Sequence, residues 1–334
     1  MIDISSLPIS VFSGTYDSKS HVQGIATDGK YMYFSFTTFL LKTDLNGNAV
    51  GSVDGFTGHL GCIAYDDGFI YGSLEYKNDA IGTQILKKLD AKASFRDTFF
   101  AVRFDADKIT RMHMNALDDN VLKGVGLSDV YNDYTYENHR YGCSGIDGIT
   151  VCKYTTSANS VFVAYGIYGD INRTDNDNQI ILRFDADKLN SSLMPLCPDN
   201  PDRINTITAD EKIFIYTGNT EYGIQNLEYD PYMNKLIAAV YPGKKPQFEN
   251  HRLFLIDLEA EHTQTSNERR YGINSVHGCD FPLGSTGIIA LGGGYYYFSE
   301  DGKNSDGYFT YVKMYKKDTE SFSPVYTKTA NKNV

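Results

Sequence analysis

FFAVRFDADKITRM, residues 99–112, and IILRFDADKLNSS, residues 180–192, carry the same hexapeptide, RFDADK, behind a run of apolar residues. Aromatic and β-branched residues running into Asp and Lys read as a strand that stops at a polar turn. Six identical residues at the same place in two such segments point to an internal repeat, and repeats decide the architecture before any local motif does. Three looser copies share the outline: FLLKTDLNGNAV at 39–50, RLFLIDLEAEHT at 252–263 and TYVKMYKKDTES at 310–321.

Upstream of every copy come two more strand-like runs joined by a turn. They are QGIATDGKYMYFSF from Gln23, GCIAYDDGFIYGSL from Gly61, SGIDGITVCKYTTSANSVFVAYGIY from Ser144, QNLEYDPYMNKLIAAVY from Gln225 and HGCDFPLGSTGIIALGGGYYYF from His277. In each, a first run that opens on small residues turns into a more apolar second run. A fourth run follows, as KIFIYTG does from Lys212. Five units of four antiparallel strands predict an all-β fold, a five-bladed β-propeller whose blades pack face to face around an axis. Small residues at the start of each first strand suit a crowded hub. The expected blades are 21–55, 59–125, 144–218, 225–268 and 277–327 in a single domain spanning 1–334, with a strand at 8–16 near the ring closure. GLSDVYNDYTYENHRYG and NRTDNDNQ read as insertions, which on a repeat scaffold fall in loops.

Of 334 residues, 41% are apolar and 22% charged, and no apolar run reaches the roughly 18 residues of a membrane span. A formal charge of −11 without a basic run argues against nucleic acid or an anionic membrane as partner. MIDISSLPIS at the N-terminus has neither the basic nor the apolar segment of a secretory leader, which predicts a cytoplasmic protein unless the chain has been trimmed. Five cysteines without CxxC spacing speak against a zinc ribbon or a disulfide scaffold. Tryptophan is absent while tyrosine numbers 26, so an aromatic ligand platform would be built from Tyr or Phe. P-loop, dinucleotide and nucleophile-elbow motifs are missing, which sets aside kinase, dehydrogenase and α/β-hydrolase chemistry.

Tyr-Gly precedes a carboxylate three times, in YGCSGID at 141–147, YGIQNLE at 222–228 and YGINSVHGCD at 271–280. Aligned on their turns, the first strands give one column of Gln23, Gly61, Ser144, Gln225 and His277. Three residues on, a second column reads Ala26, Ala64, Asp147, Glu228 and Asp280. Loops that lead into first strands share one face of a propeller. Asp147, Glu228 and Asp280 are therefore expected at the mouth of the axial channel, with His21, Gln23, His59, Tyr141, Tyr222, Gln225, Tyr271 and His277 as binding residues. The competing reading is that hub polar groups only satisfy backbone and ordered water. Arg140 and Arg270, each directly before a Tyr-Gly pair, either hold a ligand's carboxylate or phosphate or neutralise the three carboxylates. Glu75 faces the same mouth or solvent, and His139 either leans over it or stays on the surface. No cofactor motif is present; a divalent metal on the axis is the inorganic ligand these residue types would accept, calcium with the carboxylates or a transition metal with the histidines.

An all-β ring of this length, with polar residues drawn from several first strands, resembles the five-bladed propeller group that includes family 43 type glycoside hydrolases, calcium-dependent apyrases and a sugar-binding lectin. The resemblance is architectural and covers roughly residues 10–327. It implies a carbohydrate-active hydrolase in which three inner-strand carboxylates act as base, acid and pKa modulator. Here these would be Asp147, Glu228 and Asp280, with Glu228 as the acid and Asp147 or Asp280 as the base. A lyase on acidic sugars is the second expectation, with His277 or His59 abstracting a proton, a Tyr returning one and Arg140 or Arg270 neutralising the substrate. The third is a non-catalytic binding or scaffolding propeller. The partner expected is a small molecule or glycan, met by a monomer.

Overall fold

A computed structural model describes residues 2–16, 20–91, 97–153, 159–196, 204–319 and 321–326. Five mainly antiparallel sheets make a five-bladed β-propeller. From the axis outward, blade 1 contains Val22–Thr27, Tyr31–Phe36, Phe39–Asp44 and Ala49–Asp54. Blade 2 contains His59–Asp66, Phe69–Tyr76, Thr98–Asp105 and Leu122–Leu127, and blade 3 contains Cys143–Cys152, Ser160–Ile167, Asn178–Asp185 and Glu211–Tyr216. Blade 4 contains Thr220–Asp230, Lys235–Pro242, Leu253–Ile256 and Val276–Cys279. Blade 5 takes Ile288–Gly292, Tyr295–Asn304 and Gly307–Lys317 from the C-terminal part of the chain, and its fourth strand, Ser10–Phe12, from the N-terminal part. The ring is thus closed by Ser10–Phe12 along Tyr311–Lys313, while Phe322–Pro324 pairs further along the same strand.

Both RFDADK copies fall where their blades require the same geometry, at the end of the third strand. Phe104 and Phe184 are buried there, and the chain turns helical at Ala106–Lys108 and at Ala186–Ser192. In the second copy the Asp185 carboxylate accepts from the Lys188 amide and caps that helix. Asn190 on the same helix accepts hydrogen bonds from Arg103 (2.9 Å) and Tyr71 (3.0 Å), so the repeat also fastens blade 2 to blade 3.

Each blade is apolar on both faces, which is why its strands read as continuous apolar runs rather than alternating ones. Phe99 and Ala101 pack toward blade 3, and Phe100 and Val102 toward blade 1; Met32 and Phe34 face blade 5 while Tyr33 faces blade 2. Five apolar clusters result, one at each interface between neighbouring blades.

Two segments lie elsewhere than the repeat alignment expects. Val276–Cys279 pairs with Leu253–Ile256 as the outermost strand of blade 4, so the inner strand of blade 5 begins only at Ile288. Glu268–Tyr271 adds in parallel to Glu211–Tyr216 and extends blade 3, its hairpin partner being His262–Thr265. Among the described residues, no helix is long and apolar enough to cross a membrane. Cys62, Cys143, Cys152 and Cys279 are free thiols; Cys197 lies outside the described residues.

Candidate functional site

Inner strands pass close to the axis, and those of blades 1 to 4 carry an interruption of their pairing near the same end. The register slips at Gln23, at Gly61–Cys62, at Ser144 and at Gln225, and a second time in blade 3 at Asp147–Gly148 and in blade 4 at Tyr222–Gly223. A β-bulge leaves its residue out of the ladder and re-aims the side chain. The aligned column Gln23, Gly61, Ser144, Gln225 is therefore a column of bulges in four blades. Asp147 leaves the regular ladder through the second bulge of blade 3, which Glu228 in blade 4 lacks: Glu228 stays paired opposite Ile237.

The Tyr-Gly pairs before blades 3 and 4 share a backbone. Tyr141 and Gly142 have φ of 60° and 69°, and Tyr222 and Gly223 have 69° and 75°. Two successive left-handed residues reverse the chain into the hub, and tyrosine there is held by its surroundings. A Cβ on Gly223 would stand 2.5 Å from the Tyr165 carbonyl oxygen, so glycine is required. The third pair differs, because Gly272 has φ −78° and leads to the outer strand of blade 4.

Close approach between inner strands also depends on small residues. A Cβ on Gly61 would meet Asp147 Oδ1 and Ser73 Oγ at 2.1 and 2.6 Å, and one on Gly145 would meet Glu75 Oε2 at 2.0 Å. Serines on second strands bridge blades: Ser35 Oγ donates to the Gly61 carbonyl at 2.6 Å, and Ser73 Oγ donates to that of Asp147. Asn226 Nδ2 donates to the Gln23 and Ser285 carbonyls at 2.8 and 2.9 Å.

At this end of the axis lies a pocket of about 330 Å³, toward the small end of the roughly 300–1,000 Å³ typical of small-molecule sites. Its wall includes His21 and Gln23 before and in blade 1, His59, Glu75 and Lys77 of blade 2, Ser144 and Asp147 of blade 3, and Tyr222, Gln225 and Tyr241 of blade 4. The helix Ala80–Leu89, inserted between two strands of blade 2, forms one rim through Ile81, Gln84, Ile85 and Lys88.

Two buried carboxyls on this wall live in different surroundings. Glu75 Oε1 is 2.6 Å from Lys77 Nζ and its Oε2 accepts from the Ile146 amide at 3.0 Å. Burial raises its pKa, against the pull of Lys77. Asp147 has an oxygen, Oδ1, that is buried without a partner among the described residues. Burial, and then the charge of Glu75, lifts its pKa well above the ordinary carboxylate range. Burial, followed by Lys77, pushes His59 down to about 3, leaving a neutral imidazole whose Nδ1 stands 3.7 Å from Glu75, beyond hydrogen-bond reach.

Of the expected site residues, Asp147, His21, Gln23, His59, Tyr222 and Gln225 gather here. Glu228 is not part of the pocket lining: its Oε1 accepts from the Ala290 amide at 2.8 Å, Thr150 lies 3.4 Å away, and desolvation raises its pKa to about 8. Asp280 and His277 are at the outer edge of blade 4, Asp280 beside His251 at 3.2 Å, because their segment is that blade's fourth strand. Arg270 stacks 3.7 Å over Phe214 and pairs with Glu268, and Tyr271 is buried against the outside of blade 3. Arg140 lies over Tyr136 and 3.4 Å from Asp133, while Tyr141 packs on Phe214. His139 is occupied by the Tyr134 carbonyl at 2.6 Å.

Lys77 is the residue that sequence reasoning missed. It sits two residues after Glu75, past the end of the strand Phe69–Tyr76, in a stretch (EYKND) that reads as a surface turn. The alternation Glu75-x-Lys77, placing both on one face, was the available signal. With Asp147, Glu228 and Asp280 apart, the residues do not fit a shared axial cation. Among the described residues, no three His, Cys, Asp or Glu side chains gather as metal ligands.

No family model matches the sequence, and neither does any curated protein. Among solved structures, the chain is similar to a xylan β-1,4-xylosidase from Bacillus halodurans C-125 at 11% identity and a TM-score of 0.48, covering 97% of this chain and 56% of that one. It is also similar to the PQQ-bound aldose sugar dehydrogenase from Streptomyces coelicolor, at 13% identity and a TM-score of 0.40 over 92% and 99% of the two chains. The glutaminyl cyclase of Myxococcus xanthus gives 11% identity and a TM-score of 0.41 over 92% and 98%. Likeness at this level carries nothing about chemistry, which rests on the pocket itself.

Proposed function

We propose that the protein is a carbohydrate-active hydrolase that works at the bulge-lined mouth of the propeller, with Asp147 as proton donor and Glu75 as base. What supports this reading is the pair of buried carboxyls on one wall, of which Glu75 is held by Lys77 and Asp147 keeps an oxygen without a partner among the described residues. Divergent surroundings of this kind divide two carboxyls into acid and base. The neutral Asp147 carboxyl gives its proton to the leaving oxygen as the glycosidic bond breaks. Water adds to the anomeric carbon and yields a proton to Glu75, and a proton returned to Asp147 resets the pair. The negative charge of Glu75 also keeps Asp147 protonated before reaction.

Asp147→Asn is expected to lower kcat on nitrophenyl glycosides by roughly 10²–10⁴-fold. The loss should shrink on dinitrophenyl glycosides, whose leaving group needs no protonation. A panel of aryl glycosides left intact by the wild-type protein, or cleaved equally well by Asp147→Asn, would overturn the assignment. The lyase reading draws on the neutral imidazole of His59, but both arginines it called for are engaged elsewhere. An unsaturated, ultraviolet-absorbing product from a uronate polymer would restore it. If no ligand binds and hub substitutions move only the melting temperature, the propeller is a scaffold.

A further inference from the structure

Hydrogen bonds around the pocket determine which atoms remain for a ligand. Gln225 Nε2 donates to the Tyr222 carbonyl at 3.2 Å, and because a carbonyl can only accept, the amide is oriented with Oε1 as its free atom. Thr37 Oγ1 gives its hydrogen to Ser20 at 2.7 Å and so accepts from Gln23 Nε2 at 3.1 Å, which leaves Gln23 Oε1. His21 Nδ1 donates to the Val22 carbonyl at 2.8 Å, which turns Nε2, the ring's other polar atom, away from that bond. Neither glutamine oxygen nor His21 Nε2 has a partner among the described residues. Gln23 and Gln225 are only 8% and 6% exposed, and both line the pocket from bulges that turn them out of the ladder. Two fixed acceptors, the glutamine oxygens, thus belong to the lining, with His21 in the same wall.

Among the described residues, the lysines of that wall offer an anion no fixed donor. Lys77 is held against Glu75 (2.6 Å) and the Ser144 carbonyl (2.8 Å), with the Asp79 carboxylate a further ion-pair partner at 3.5 Å. Lys88, the other lysine of the lining, is exposed on the rim helix, where water screens it. A carboxylate brought against Gln23 Oε1 and Gln225 Oε1 would meet lone pairs, whereas hydroxyl groups would satisfy both.

We infer that the pocket takes an uncharged polyhydroxylated ring, and that Gln23 and Gln225 are the residues that select it over its carboxylate-bearing counterpart. This rests on the proposed carbohydrate reading and names its substrate class. The test is an NMR titration of the full chain with the matched pairs glucose and glucuronate, and galactose and galacturonate. At least one neutral sugar is expected to bind roughly tenfold or more tightly than its uronate. Gln23→Lys and Gln225→Lys should each narrow or reverse that preference; two positions are used so that one variant's failure to fold leaves the other to decide. Uronates that bind as well as or better than the neutral sugars, or no binding by any of the four to the folded protein, would overturn the inference. Cleavage of aryl uronides in preference to neutral glycosides would sink the inference and leave the hydrolase intact. Binding of a neutral sugar without turnover of any glycoside would sink the hydrolase and leave the inference intact.

Discussion

At the scale of single residues, burial governs what each carboxyl can do. Glu228 binds its proton with a pKa of about 8 in the folded protein, against an ordinary value of 4.5. Between those values the folded state holds a proton that the unfolded chain has released, so stability is complete below 4.5 and falls as pH rises toward 8. Glu228→Gln should therefore lose less melting temperature than the wild type between about pH 5 and pH 9. Parallel curves for the two proteins would show that Glu228 does not titrate in that window. Glu75 and Lys77 are a different case, with side chains only 5% and 6% exposed and each the other's partner. Lys77→Met alone leaves a buried carboxylate unpaired and is expected to cost about 3–5 kcal/mol in urea unfolding. Adding Glu75→Gln removes that charge and should recover part of the loss. A double variant no more stable than Lys77→Met would show that the unpaired carboxylate is not the cause.

At the scale of elements, the inner strands are unusual because their departures from regularity make the site. A regular strand would send Gln23 and Gln225 into the blade ladder; the bulges turn them to the axis. The left-handed Tyr-Gly pair sets where blade 4 enters the hub. Gly223→Ala would place a methyl group 2.5 Å from a backbone oxygen at φ 75° and is expected to destabilise by about 1–3 kcal/mol. Equal denaturation midpoints for Gly223→Ala and wild type would mean that the turn can rebuild itself without the left-handed step. Gly272→Ala, at an ordinary φ with open space around it, is the control and should change little.

At the scale of the whole molecule, the ring is held by five interfaces and one closure between distant parts of the chain. Val11, 2% exposed, carries that closure into the apolar cluster between blades 5 and 1. Val11→Asp puts an unpaired carboxylate there and is expected to cost about 3–5 kcal/mol, read as a lower denaturation midpoint. An unchanged midpoint would show that Ser10–Phe12 adds nothing to the closure.

Repetition is what made the fold legible. RFDADK, the apolar runs and the turn dipeptides are local, and a propeller buries every blade on both faces, so the same local pattern had to recur five times around the ring. The alignment of Gln23, Gly61, Ser144 and Gln225 was likewise a local signal, since a bulge occupies the same place in each of these inner strands. Tertiary structure alone decided the rest. Val276–Cys279 and Glu268–Tyr271 look like inner-strand or linker sequence, yet they complete the edges of blades 4 and 3, because an unpaired edge is satisfied by whichever strand can reach it. That choice carried His277, Asp280, Arg270 and Tyr271 away from the axis. Lys77 and Glu75 came to it for the converse reason: the partner that makes a buried charge tolerable is found across space, where strand order around the hub, and not spacing along the chain, sets the distance.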